Sequence, residues 1–343
     1  MKTKHTKTGN KTGIFPAPLL TLAASAALIS CASASASVTM DWVTVGHAGN
    51  AADSTGYGAV GYAYQIGKYE VTNAQYATFL NAVDPNGANA NGIYNTSMGS
   101  TARGGITYTD GAASGAKYTI RTSMGDKPVN YVSWYDAARF ANWMMNGQGS
   151  GSTETGAYTL SGNTGIITKN SGANVWLPSE DEWYKAAYYD PTSGAGGGDN
   201  YWLYATQSDT TPTQASANST GDITNPGENV ANYFLGADWN GEDGNVTTVG
   251  SAAANNYFGT ADMAGNVSEW TDAVVGTNRG LRGGSWGSQA GQLASTGGLN
   301  TTPTYESNAG AQGFRLASVA VPEPTSLVLT MLAGGVMLIR RRR

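Results

Sequence analysis

Four stretches of this 343-residue chain, 85–126, 146–173, 190–260 and 287–312, are so rich in Gly, Asn, Ser and Thr that no helical or strand period runs through them. That confines the fold to short regular pieces joined by long irregular connections. The 47 glycines reinforce the point, because each loses more backbone freedom in a helix or strand than any other residue. A hydrophobic content of 40%, a quarter of it aromatic, still suffices for a buried core, so the chain is not disordered. Loops this long are uncommon in a compact domain unless they carry function or are pinned, for example by ions.

Between the loops, residues 41–45 and 64–71 cluster β-formers and read as strands. In 74–83, Tyr76, Phe79, Leu80 and Val83 fall at i, i+3, i+4 and i+7 behind Thr72-Asn73, the pattern of an amphipathic helix with a Thr or Asn cap. A second helix is predicted after Ser133, with Trp134, Ala137, Ala138, Ala141 and Trp143 or Met144 facing inward. A third, shorter helix follows Ser179, where Glu182 stands at capping-box spacing, and continues through Trp183, Ala186 and Ala187. No internal repeat and no linker divides the body.

Sulfur and imidazole are scarce. The one cysteine is Cys31, near the N-terminus, which excludes disulfides, thiolate zinc sites and a cysteine nucleophile from everything after it. The two histidines are His5 and His47, so a Ser-His-Asp triad has only His47 to draw on and a multi-histidine metal site cannot be assembled. Eight of the 19 basic residues (Lys2, Lys4, Lys7, Lys11 and Arg340 to Arg343) and one of the 24 acidic ones (Glu323) lie outside 38–319. The body therefore carries 11 basic against 23 acidic side chains, which disfavours nucleic acid and suits cations.

The two ends read as targeting elements. Residues 1–37 have the order of a secretory signal peptide: lysines, an apolar run over 14–30, then Ala-Ser-Ala-Ser-Ala-Ser with cleavage near Ala36 or Ser37. Leu28-Ile29-Ser30-Cys31 also resembles a lipoprotein cleavage box, which would leave Cys31 lipidated. At the other end, residues 325–339 are apolar or small and as a helix would reach about 22 Å against a hydrocarbon core of about 30 Å, marginal for a permanent span. The terminal arginines would stay cytoplasmic. Pro322-Glu323-Pro324, the short apolar run and the Arg cluster make residues 320–343 resemble a PEP-CTERM sorting signal. That resemblance implies an exosortase partner, transient anchoring in the inner membrane, and release to the cell surface or an exopolysaccharide matrix.

In the body six motifs occur in order: Gly67-Lys68-Tyr69-Glu70-Val71-Thr72-Asn73, Lys127-Pro128-Val129-Asn130-Tyr131-Val132-Ser133-Trp134, Leu177-Pro178-Ser179-Glu180-Asp181-Glu182-Trp183, Gly265-Asn266-Val267-Ser268-Glu269-Trp270, Arg282-Gly283-Gly284-Ser285-Trp286 and Gly313-Phe314-Arg315. On their own, the tryptophans read as core, and Arg282 and Arg315, scarce cations in an acidic body, read as internally paired. Together the motifs make residues 38–319 resemble the formylglycine-generating enzyme, or sulfatase-modifying factor, family. The resemblance implies an α+β, compact C-type-lectin-like domain with little regular secondary structure, long loops and bound calcium. One calcium site is implied at Asn232, the Tyr233 carbonyl, Asp243 and the Asn245 carbonyl, and a second at Asp262, the Gly265 and Val267 carbonyls and Glu269. Oxygen donors on irregular loops are what a hard cation takes, while Asp, Asn and Gly also simply make turns.

The resemblance breaks at the catalytic centre. Active family members hold copper on two cysteines shortly after the Gly-Gly-Ser-aromatic motif, and here those positions carry Ser288 and Leu293. Neither supplies a soft thiolate, so no copper is expected. Ser268 replaces an aromatic, and Ser285, which matches an active-site serine, has no thiol pair to assist. A related iron chemistry needs several histidines. The sequence thus leans toward a non-catalytic, calcium-stabilised domain that binds exopolysaccharide or a surface protein, or serves as a passive structural component. The alternative is an oxidoreductase of the same family with a reworked metal centre acting on a protein side chain.

Overall fold

The computed structural model describes residues 1–6, 9, 37–161, 166–192, 198–307 and 309–320. Cys31, most of the predicted signal peptide, and the Pro322-Glu323-Pro324 tail lie outside them. Among the described residues no helix is long and apolar enough to cross a membrane.

The first sheet has the order β1 (Trp42–Val45), β2 (Tyr64–Gly67), β12 (Ala317–Val319), β5 (Val175–Trp176), all antiparallel. The first and last strands thus meet on β2, which aligns Ile66 with both Val43 and Ala317 and closes the domain on itself. The second sheet runs β10 (Leu299–Thr301), β9 (Asn278–Arg282), β8 (Ser268–Val275), β11 (Gln312–Gly313), with the last pair parallel. Two smaller pairs, β3 (Ile106–Tyr108) with β4 (Tyr118–Ile120) and β6 (Thr213–Gln214) with β7 (Val230–Ala231), sit inside the long loops. All these elements belong to one compact unit.

The helices begin where side-chain caps satisfy their free N–H groups. Helix α1 (Asn73–Val83) is capped by Thr72 with Gln75 reaching back, α3 (Trp134–Met145) by Ser133 with Asp136, and α4 (Glu180–Tyr188) by Ser179 with Glu182. Thr72, not Asn73, takes the cap of α1; the Asn73 amide is turned inward onto the carbonyls of Met124, Lys127 and Pro128. Two single-turn helices, α2 (Ser97–Ser100) and α5 (Ala290–Leu293), lie within loops. The expected second strand ends at Gly67, because Val71 bonds to Phe314 and Val129 outside any ladder.

The core is aromatic. Trp134, Trp143, Trp183 and Trp270 are all fully buried, packed with Tyr76, Phe79, Phe140 and Phe314. Each indole removes roughly 200 Å² from water, on the order of 5 kcal/mol before its entropic cost. Each also places its N–H: on Thr271 O (3.1 Å), Gly149 O (3.0 Å), Glu269 Oε2 (2.8 Å) and Val132 O (3.0 Å) respectively. Trp134 and Trp270 thereby tie helix α3 and its approach to strand β8.

Candidate functional site

Strand β9 ends at Arg282, and the chain turns through Gly283 and Gly284 into Ser285 and Trp286. Arg282 is held by Glu180 on α4 and by the Ser295 and Gly297 carbonyls, the internal pairing expected of a scarce cation. Gly284 has a φ of 70°, and a Cβ there would lie 2.7 Å from Leu293 Cδ1 and 3.2 Å from Ser288 Cβ. Leu293 is fully buried and Ser285 and Ser288 nearly so. The two serines bond to each other, Ser285 N–H donating to Ser288 Oγ at 2.9 Å with the hydroxyls 3.3 Å apart. Tyr188 donates to the Leu293 carbonyl and Phe234 N–H to the Ser288 carbonyl. A copper ion needs sulfur donors, and what stands here is a hydroxyl turned onto its neighbour and a hydrocarbon packed against Gly284. These residues do not fit copper. His47 is exposed and faces Tyr257 at 3.2 Å, away from both serines' hydrogen-bonding partners.

Beneath this turn lies a charged lock. Arg315 and Glu269 are fully buried and paired through two bonds of 2.6 Å. The other three guanidinium protons go to the carbonyls of Gly67 (2.9 Å), Lys68 (3.1 Å) and Ala261 (3.0 Å), so all five donors are used. Trp183 adds its bond to Glu269. Arg315 thus fastens the segments around 67 and 261–269, and Glu269 extends the lock to Trp183 on α4.

The second residue set implied for calcium includes Glu269 of this lock, and the first meets the second through Gly265 and Asn266. In the first, Asn232 is buried and its Nδ2 donates to the Asn245 carbonyl at 2.8 Å, so two of the expected donors meet. The Tyr233 carbonyl accepts from Gly236, and Asp243 is exposed on the adjoining turn, its carbonyl taken by Arg103. In the second, Asp262 adopts a left-handed backbone with a φ of 56° and its carboxylate accepts from the Gly250 N–H. Burial, reinforced by the charge of Glu269, pushes its carboxyl up to about 6. Gly265 must lack a side chain, since a Cβ would meet the Asn232 carbonyl at 2.1 Å. That close approach lets Asn266 N–H bond Asn232 O at 2.8 Å and joins the two sets. Val267 packs on Val246 and Trp286, and Ser268 opens β8 opposite Gln312.

Two residues without an assigned role join them. Asn266 accepts from Thr247 N–H and Asn232 Nδ2 on one side and donates to Glu70 Oε1 at 3.2 Å on the other. Glu70 is buried, and burial followed by the neighbouring Asp262 charge holds its carboxyl well above the usual range. An acidic residue between Tyr69 and Val71 in a β-forming run was the available signal. Among the described residues no three acidic, His or Cys side chains converge closely enough to chelate a metal alone, so main-chain and amide oxygens would have to complete either set. Among those residues five buried side-chain oxygens lack a partner, and two of them, Asn232 Oδ1 and Glu70 Oε2, lie here. Of the residues implied for calcium, Asn232 is the one with a buried, unpartnered side-chain oxygen, which a hard cation would satisfy.

With this geometry in place, the model of the sulfatase-modifying factor enzyme 1-like domain matches residues 49–320, most of the chain. The chain belongs to this family. β1 lies just ahead of the residues matched to the sulfatase-modifying factor domain yet pairs fully with β2 inside it. Similar solved structures include Treponema denticola variable protein 1 (21% identity, TM-score 0.48, 83% of this chain and 97% of that one). CarF (21%, 0.47, 82% and 99%) and PvdO from Pseudomonas aeruginosa (16%, 0.40, 82% and 92%) are also similar. No curated protein matches the chain.

Proposed function

We propose that this is an exported sulfatase-modifying-factor-like protein whose domain no longer oxidises cysteine and serves as a calcium-stabilised binding or structural module. The observation that carries the reading is the buried Leu293 packed on Gly284, beside a serine pair, where thiolates would be needed. Calcium at the sets around Asn232 and Asp262 is supported by the two unpartnered oxygens and by a body with 11 basic and 23 acidic residues. Sorting by an exosortase through Pro322-Glu323-Pro324, after export by the N-terminal leader, would place the domain at the cell surface or in the matrix, in reach of polysaccharide or surface proteins.

Thermal melts of the purified domain, with calcium and with a chelator, test the ion: a higher melting temperature with calcium is expected, and identical curves remove that part. Incubation with copper and a cysteine-containing peptide tests the chemistry. Aldehyde formation would overturn the non-catalytic reading.

A further inference from the structure

Beyond the C-terminal end of α4 the chain opens a cavity of about 530 Å³, within the range of about 300–1,000 Å³ usual for small-ligand sites. Asp190, Trp202, Gln207, Glu228 and Asn255 are among its lining residues. Main-chain bonds frame it: Asp190 N–H to the Asn200 carbonyl (2.8 Å), Trp202 N–H to that of Tyr188 (2.9 Å) and Gly227 N–H to that of Ala252 (2.9 Å). The Gln207 amide reaches across to the Asn255 carbonyl at 2.7 Å. Trp202 is half-buried, and its Nε1 donates to Asp190 Oδ2 at 3.2 Å, which fixes the indole. Buried Asp190 also accepts from the Thr192 N–H (2.9 Å) and hydroxyl (2.7 Å), so its charge is satisfied within the protein. Glu228 and Asn255 are exposed, and neither side chain bonds any described residue. Gln207 and Ala253, which also lines the cavity, hold left-handed backbones with φ of 54° and 59°, a strained state that clusters at ligand sites.

A single indole among amides, a hydroxyl and carboxylates is a poor bed for an apolar ligand, and two carboxylates with no basic side chain repel phosphates and acidic sugars. Among the described residues no three ligating side chains converge there on a metal. A neutral pyranose ring matches the lining. One of its faces presents C–H groups that pack on an aromatic ring, and its hydroxyls donate to carboxylate and amide oxygens and accept from amide N–H groups. We propose that this cleft binds a neutral pyranose unit of a glycan, with the Trp202 indole against a C–H face and the Glu228 carboxylate and Asn255 amide bonding the hydroxyls. This gives the binding reading above, on which it rests, a ligand class and a place, and it needs neither calcium set.

Titration calorimetry of the purified protein tests it, with neutral gluco-, manno- and galacto-configured tetrasaccharides, a uronic-acid tetrasaccharide and a tetralysine peptide as probes. Saturable binding of at least one neutral sugar is expected, with the uronic acid and the peptide weaker. Affinity should fall about tenfold or more in Glu228→Ala, about threefold in Asn255→Ala and about fivefold in Trp202→Ala. Because the Glu228 and Asn255 side chains are exposed and support no bond to a described residue, their variants decide the matter even if Trp202→Ala does not fold. A neutral sugar bound equally by wild type, Glu228→Ala and Asn255→Ala sits elsewhere: the cleft assignment then fails while the binding reading stands. Tighter binding of the uronic acid or the peptide than of any neutral sugar overturns the ligand class. A wild-type protein that binds no neutral sugar overturns the proposal too, and leaves the binding reading to a surface protein alone.

Discussion

Replacing Arg315 with Met removes the positive end of the buried lock while keeping most of its volume. Glu269 would then lose two bonds of 2.6 Å and retain only the Trp183 indole, and the carbonyls of Gly67, Lys68 and Ala261 would lose their guanidinium donors. Breaking a buried ion pair from one side costs about 3–5 kcal/mol, because an uncompensated charge stays behind. At roughly 2–4 °C per kcal/mol for a domain near this size, the melting temperature should fall by roughly 6–20 °C. Urea denaturation followed by tryptophan fluorescence reads the same loss at equilibrium. Adding Glu269→Gln to Arg315→Met should cost less than the two single changes together, since no full charge then remains unpaired at that position. An Arg315→Met protein within about 1 kcal/mol of wild type, or strict additivity in the cycle, would refute the claim that this pair fastens the core.

Gly284→Ala should destabilise by about 1–3 kcal/mol in thermal or urea unfolding, because the new methyl meets Leu293 and the backbone sits at positive φ; a neutral effect would mean the space against Gly284 is not filled as described. Asp136, the fully buried cap partner of Ser133, is pushed up to about 7 by burial, with the nearby Glu306 acting in the same direction. Its folded form holds a proton that the unfolded chain releases near pH 4, so its contribution is complete at low pH and is lost as pH rises through 7. Melting temperatures across pH 5–8 should slope downward more in wild type than in Asp136→Asn, and parallel curves would contradict this.

Much of the local structure was legible from sequence. Thr72, Ser133 and Ser179 announced the three main helices because caps and capping boxes act within a few residues. The tryptophans and Arg282 and Arg315 were legible as interior for an equally simple reason, large apolar area in one case and scarce charge in an acidic body in the other. The helix faces were read less completely. Phe140 is buried in the core although only Trp134, Ala137, Ala138, Ala141 and Trp143 or Met144 were expected on the inner face of α3, because a helix packed on several sides buries more than one stripe.

The candidate site divides the same way. Sequence by itself determined that no thiolate stands after Trp286 and that oxygen donors cluster near 232–245 and 262–269, since these are matters of which atoms the chain contains. Only the tertiary structure decided that Glu269 is committed to Arg315, that Leu293 fills the space against Gly284, and that Glu70 and Asn266 join the two donor sets. Those contacts span up to about two hundred residues, and no local propensity records them. They arise because a loop-rich chain must satisfy its buried charges with whatever distant groups the packing brings near.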